Sequence, residues 1–150
     1  MRTHNVEGEV VRAVMDGHII RINASTSGYG NCLYVQHPNG VVSVYGHLQA
    51  FNPSIEAYVR KQQYAQKKAE LELYPSAKEF VFKQGDLLGW SGNTGGSEGP
   101  HLHFELRLNG GTLPYNSYLS GIRYDDRTAP TFRTLYLYNI DQKNHEARVQ

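Results

Sequence analysis

The sequence predicts a mostly β domain of antiparallel strands with one inserted surface helix. Three observations carry this. Glycine and tyrosine are plentiful, at 15 and 11 of 150 residues, as in a turn-rich β protein. Short runs alternating apolar and polar residues recur between Gly, Pro and Asn-Gly signals. One stretch, residues 53 to 72, breaks the pattern with helix formers and no glycine.

Taken in order, EVVRAVMDGHIIRI predicts two strands joined as a hairpin around Asp16-Gly17. STSGYGN (25–31) is a glycine-rich loop. NCLYVQH alternates as a strand, Pro38-Asn39-Gly40 turns the chain, and VVSVYGHL returns. PSIEAYVRKQQYAQKKAELE, with Pro53 and Ser54 at its entrance, reads as a solvated surface helix. A membrane-binding helix is the alternative; glutamates among the lysines and a thin apolar face speak against it. EFVF is a strand, Lys83-Gln84-Gly85-Asp86 a turn, LLGWSG a strand and NTGGSEGP (93–100) a second glycine loop. HLHFELRL (101–108) is a strand ended by Asn109-Gly110-Gly111. The tail from Leu113 is less regular, with a further strand beginning near 133–140 in RTLYLYNI. We expect a β core over 1–120 and a C-terminal extension over 121–150 that starts a further segment.

A chain of 150 residues fits one domain with a real core. A net charge of +1 gives no general pull towards nucleic acid, so no nucleic-acid partner is expected. No apolar run approaches a membrane span, and MRTHNVEGEV lacks the apolar core of a signal peptide. The single cysteine, Cys32, excludes an intrachain disulfide and is expected to be buried and inert.

The chemistry concentrates in histidine. There are seven, at 4, 18, 37, 47, 101, 103 and 145. In a strand, residues i and i+2 share a face, so His101 and His103 project together, about 7 Å apart along the strand. Leu102 and Phe104 then point into a core. His47 ends another predicted strand, and glycine loops flank the region, which suggests close approach of a ligand to the backbone. Three histidines can be three zinc ligands, or one ligand, one base and one oxyanion donor. Spacing does not choose between these.

At GPHLHFE the chain resembles the lysostaphin-type zinc endopeptidases, which cut peptide cross-links in bacterial peptidoglycan. EGEVVRAVMDGHIIRI is similar to their opening hairpin, and GYGNCLYVQHPNGVVSVYGHL to their central one, with Tyr45-Gly46-His47-Leu48 as the Tyr-x-His-Leu motif. FKQGDLLGWSGNTGGSEGPHLHFELR is similar to their strand, glycine loop and His-Leu-His strand. The likeness runs over about residues 7 to 108. It implies two antiparallel sheets forming a groove for an extended peptide, and a parent protein placed in the cell envelope, periplasmic or extracellular. It implies that His103 is a zinc ligand, His101 the base towards zinc-bound water, and His47 the second catalytic histidine, stabilising the oxyanion.

One departure stands out. The family takes its two other zinc ligands from a His-x-x-x-Asp motif just upstream of the opening hairpin, and no such motif occurs in this sequence. MRTHNVEGE resembles the segment that follows that aspartate, so Met1 is expected to be an internal methionine of a longer protein. His4 is a poor substitute, Asp16 belongs to a turn, His18 reads as a surface residue, His37 as structural, and His145 carries no signal. The expected function is zinc-dependent hydrolysis of peptidoglycan peptides, with zinc weakly held or lost in this chain. The alternative is a non-catalytic relative that binds peptidoglycan or an envelope partner. A binding module with incidental histidines is the third class.

Overall fold

A computed structural model describes residues 6–116 and two short strands, 138–140 and 147–149. His4, His145 and residues 133–137 of the tail lie outside the described residues.

Two antiparallel sheets share one core. The larger is built from β2 (Gly17–Ala24), β3 (Cys32–Gln36), β4 (Val42–Gly46), β6 (Leu71–Leu73), β9 (His103–Leu108) and β10 (Leu113–Tyr115), with β7 (Val81–Phe82) pairing on β2. Its order is β10-β9-β4-β3-β2-β6. The smaller holds β1 (Val10–Arg12), β8 (Leu87–Ser91) and β5 (Leu48–Phe51), in the order β1-β8-β5. A separate pair joins β11 (Tyr138–Ile140) to β12 (Ala147–Val149), so part of the strand expected over 133–140 is present.

Both faces of β3 are covered. Leu33 and Val35 enter the main core with Ile19, Ile22, Tyr45, Leu48 and Leu88, while Cys32 and Tyr34 pack with Val42 and Val44 behind it. The period of two in NCLYVQH therefore splits between two apolar clusters. Each such side chain contributes about 1.5–3 kcal/mol by leaving water. The predicted hairpin through Pro38-Asn39-Gly40 forms, with Gln36 opposite Val42 and Gly40 at φ 83.

Two expectations need correction. The first is the hairpin at Asp16-Gly17: β1 pairs β8 in the small sheet, whereas β2 pairs β3 in the large one. The intervening backbone turns away because its groups are taken elsewhere. Ala13 N–H donates to Asp86 O, Gly85 N–H to Ala13 O, and Val14 N–H to the Tyr45 hydroxyl. Asp16 accepts from Lys83 Nζ and Gln84 N instead of closing a turn.

The second is the length of the helix. α1 covers Pro53–Gln66, not 53 to 72. Asn52 caps its start, accepting from Ile55 N at 3.0 Å, and Lys67 ends it in a left-handed conformation at φ 53. Ile55 and Val59 are its buried anchors. Leu71 and Leu73 then alternate with exposed Glu72 as strand β6 against β2. The LEL pattern at the end of the charged run was the missed signal.

Candidate active site

The passage from the large sheet to the small one occurs at His47. β4 ends at Gly46 and β5 begins at Leu48, and His47 between them sits at φ 58. A non-glycine residue in the left-handed region costs on the order of 1–3 kcal/mol and needs a surrounding that enforces it. Here His47 N–H donates to Tyr29 O at 2.8 Å, and its Nδ1 bonds Thr94 O at 2.7 Å. Thr94 is fixed in turn: its hydroxyl donates to Leu48 O at 2.9 Å and accepts from Asn31 N at 3.0 Å.

The two predicted glycine loops meet under this corner. Gly96 N–H donates to Gly28 O at 2.8 Å. Gly95, at φ 76, lies so close to the Gly30 and Gly28 backbone that any side chain would collide with it. The crossing holds Thr94 beneath His47.

His101 and His103 arrive from the other side. His103 opens β9 opposite Gly46, and His101 precedes the strand as an isolated bridge to Gly92. The predicted strand over 101–108 thus starts two residues late, yet Leu102 is buried and both histidines reach the same place. Ring centroids lie 4.7 Å apart for His47 and His101, and 5.6 Å for His47 and His103. One ring nitrogen from each histidine lies within 4.8 Å of the other two. An open cleft of about 390 Å³ is lined by Gly28, Tyr29, His47, Gly96 and His103.

Hydrogen bonds fix which nitrogens are available. A carbonyl or carboxylate can only accept, so the ring nitrogen facing it carries the proton. His47 Nδ1–H donates to Thr94 O. His101 Nδ1–H donates to Gly99 O at 2.9 Å, beside the Ser97 hydroxyl at 3.2 Å. His103 Nε2–H donates to Glu105 Oε1 at 2.5 Å. Each neutral ring therefore keeps one unprotonated nitrogen: Nε2 of His47, Nε2 of His101 and Nδ1 of His103. Among the described residues none of these atoms has a hydrogen-bond partner. Closely spaced neutral imidazole nitrogens are a donor set that zinc accepts well.

Charge supports this. Burial lowers the pKa of His47, against its bond to Thr94, and the neighbouring imidazoles lower it further. Burial disfavours a charged Glu105, but hydrogen bonds from Arg107, Tyr29 and His103 outweigh it and hold the carboxyl at about 2. Glu105 Oε2 accepts from Arg107 Nε at 2.6 Å, and Oε1 also accepts from the Tyr29 hydroxyl at 2.8 Å. The Tyr29 ring stacks on His103 with centroids 4.5 Å apart.

The profile of Peptidase family M23 matches residues 2–71. The chain is 36% identical over 104 residues to the DD-carboxypeptidase/endopeptidase Mpg of Neisseria meningitidis, covering 69% of this chain and 18% of that protein. The chain belongs to peptidase family M23, lysostaphin type. This is a family of hydrolases. Its fold recurs in the catalytic domain of lysostaphin from Staphylococcus simulans, at TM-score 0.53 and 24% identity over 77% of this chain and 71% of that one. It recurs in a zinc-containing peptidase from Vibrio cholerae, at TM-score 0.50 and 24% identity over 72% of this chain and 25% of that one.

Within this M23 fold the predicted residues divide clearly. His47, His101 and His103 converge. His37 does not: it is buried near β2, with Nδ1–H donating to Asp16 O and Nε2 on the Ser43 hydroxyl, both at 2.8 Å. Burial pushes the Cys32 thiol up to about 12, as expected of an inert residue. Glu105, Arg107, Tyr29 and Thr94 were missed as members of the site. The first two continue the alternation of His101 and His103 along HLHFELR, so period two alone could have found them. Tyr29 and Thr94 sit in glycine loops, whose crossing no local pattern reveals.

Proposed function

We propose that this domain is a zinc-dependent endopeptidase acting on peptide cross-links of bacterial peptidoglycan, in the cell envelope on the periplasmic or extracellular side. The observation that carries the reading is the convergence of His47, His101 and His103, each with one nitrogen left open. Relatives named as a DD-carboxypeptidase/endopeptidase and a glycyl-glycine endopeptidase support peptide hydrolysis as the reaction.

His103 would hold zinc through Nδ1, the ring nitrogen that its bond to Glu105 leaves open. Zinc, when bound, polarises a carbonyl and brings the pKa of a bound water to about 7. His101, with Nδ1–H anchored on Gly99 O, offers Nε2 as general base for the proton of the attacking water. Neutral His47 also presents a lone pair at Nε2. It can donate to an oxyanion only after taking up a proton, which makes it a partner of His101 in proton handling. The glycine loops leave room for the peptide backbone along the cleft.

The second reading is a non-catalytic relative that binds peptidoglycan or an envelope partner. It is favoured by one observation, that His-x-x-x-Asp does not occur in these 150 residues. Elemental analysis of zinc and release of soluble peptidoglycan fragments separate the two. Both are measured on this chain beside a version extended upstream in the gene. Zinc near one equivalent with hydrolysis in the extended form supports the enzyme. No zinc and no hydrolysis in either supports the binding protein.

A further inference from the structure

The carboxylate behind His103 is held more tightly than a surface glutamate needs to be. Both Glu105 oxygens are spoken for, Oε1 by His103 Nε2–H and the Tyr29 hydroxyl, Oε2 by Arg107 Nε. Arg107 is itself anchored, donating from Nη1 to Gly111 O at 3.1 Å and from Nη2 to the Tyr29 hydroxyl at 3.0 Å. The Tyr29 ring lies against His103 at an interplanar angle of 30°, so the imidazole plane is set as well. Only one state of His103 suits this cage when its ring is neutral, with the proton on Nε2 and the lone pair on Nδ1.

We propose that Glu105 is a positioning residue: clamped by Arg107 and Tyr29, its carboxylate fixes His103 as the Nε2–H tautomer and keeps Nδ1 free for zinc. This rests on the reading of His103 as a zinc ligand. The carboxyl-to-histidine bond fixes a tautomer because a carboxylate has no proton to give in return. The clamp matters because it removes the freedom to substitute an amide. A glutamine at 105 has one acceptor and one donor end. Arg107 can only donate, so the amide oxygen must turn to Arg107. The amide NH₂ then faces His103, and the ring must accept at Nε2 and carry its proton on Nδ1. The isosteric variant is therefore predicted to invert the tautomer and block the metal-facing nitrogen.

The test is the histidine tautomer in the metal-free 150-residue chain, read by long-range ¹H–¹⁵N NMR at a pH where the rings are neutral. A protonated ring nitrogen resonates well upfield of a bare one. The expected result is Nε2–H for His103 in the wild type, Nδ1–H in Glu105→Gln, and Nε2–H again in Glu105→Gln with Arg107→Met, where the amide is free to turn back. Zinc affinity of Glu105→Gln in the upstream-extended protein is expected to fall about 10–100-fold. A wild-type His103 found as Nδ1–H overturns the proposal with no variant needed, and so does Nε2–H in a folded Glu105→Gln. The tautomers are read without zinc or turnover. If the upstream-extended protein with Glu105 intact binds no zinc while the tautomers behave as stated, it is the enzymatic reading that fails.

Discussion

His37 and His47 are equally hidden, at 3% and 5% exposure, and lie ten positions apart on the same hairpin. Burial does not tell the histidine of a closed network from one of the convergent three here. The bonding of the ring does. His37 spends both nitrogens, one on Asp16 O and one on Ser43, and the Ser43 hydroxyl passes on to the Tyr45 hydroxyl at 3.0 Å and so to Val14 N. That chain begins and ends on backbone and ties the β1–β2 crossing to the large sheet. His47, His101 and His103 each spend one nitrogen on the protein and leave the other without a partner among the described residues. A closed network specifies a fold, and a half-open one is available for chemistry.

The widest gap between the two regions is in function. In the zinc-loaded, upstream-extended protein, His101→Ala is expected to keep its zinc and lose about 10²–10⁴-fold in turnover. His103→Ala should lose the zinc as well. Elemental analysis beside a peptidoglycan-release assay reads both. Retained turnover in His101→Ala would break the division of roles.

Next in size is the stability of the closed network. His37→Ala leaves the Ser43 hydroxyl and Asp16 carbonyl short of a partner, and should cost about 2–3 kcal/mol in urea unfolding with zinc content unchanged. Thr94→Val tests whether the boundary between the regions is real. It removes two hydrogen bonds beneath His47 but keeps the side-chain shape. A cost of about 1–2 kcal/mol together with slower turnover is expected. A stability loss alone would mean that the left-handed corner at His47 holds without Thr94.

Much of this was legible in the sequence. Asn-Gly signals and period two located β3, β4 and β9, and the spacing HLH put His101 and His103 on one face. The site residues came from local pattern joined to family likeness. What stayed hidden was set by long-range partners. β1 looked like half of a hairpin because Asp16-Gly17 is a good turn pair. Its hydrogen bonds go to β8, far along the chain, and a tertiary ladder outcompeted the local turn. β6 hid in a charged run because only its burial against β2 distinguishes it from a helix end. The Glu105 clamp needed Tyr29, which is 76 positions away.

The smallest expected effect is also the most discriminating, because it depends on pH. Tyr45 is 1% exposed, and burial raises its pKa above 10.0, outweighing its hydrogen bonds with Ser43 and Val14. The folded state thus prefers the neutral phenol, while the unfolded chain ionises near 10.0. Its contribution to stability is full below 10.0 and declines as pH rises beyond that value. Tyr45→Phe cannot ionise, but deprives Val14 N–H of its acceptor and should cost about 1–2 kcal/mol at neutral pH. The other raised groups, Cys32 and Tyr34 among them, are common to both proteins and cancel in the difference. The stability gap between wild type and Tyr45→Phe should therefore be constant to pH 10.0 and narrow above it. A gap that stays constant through the alkaline range would mean that the Tyr45 hydroxyl ionises as readily inside the protein as outside. The His37–Ser43–Tyr45 chain would then be open to water, and its contrast with the cleft histidines would rest on geometry alone.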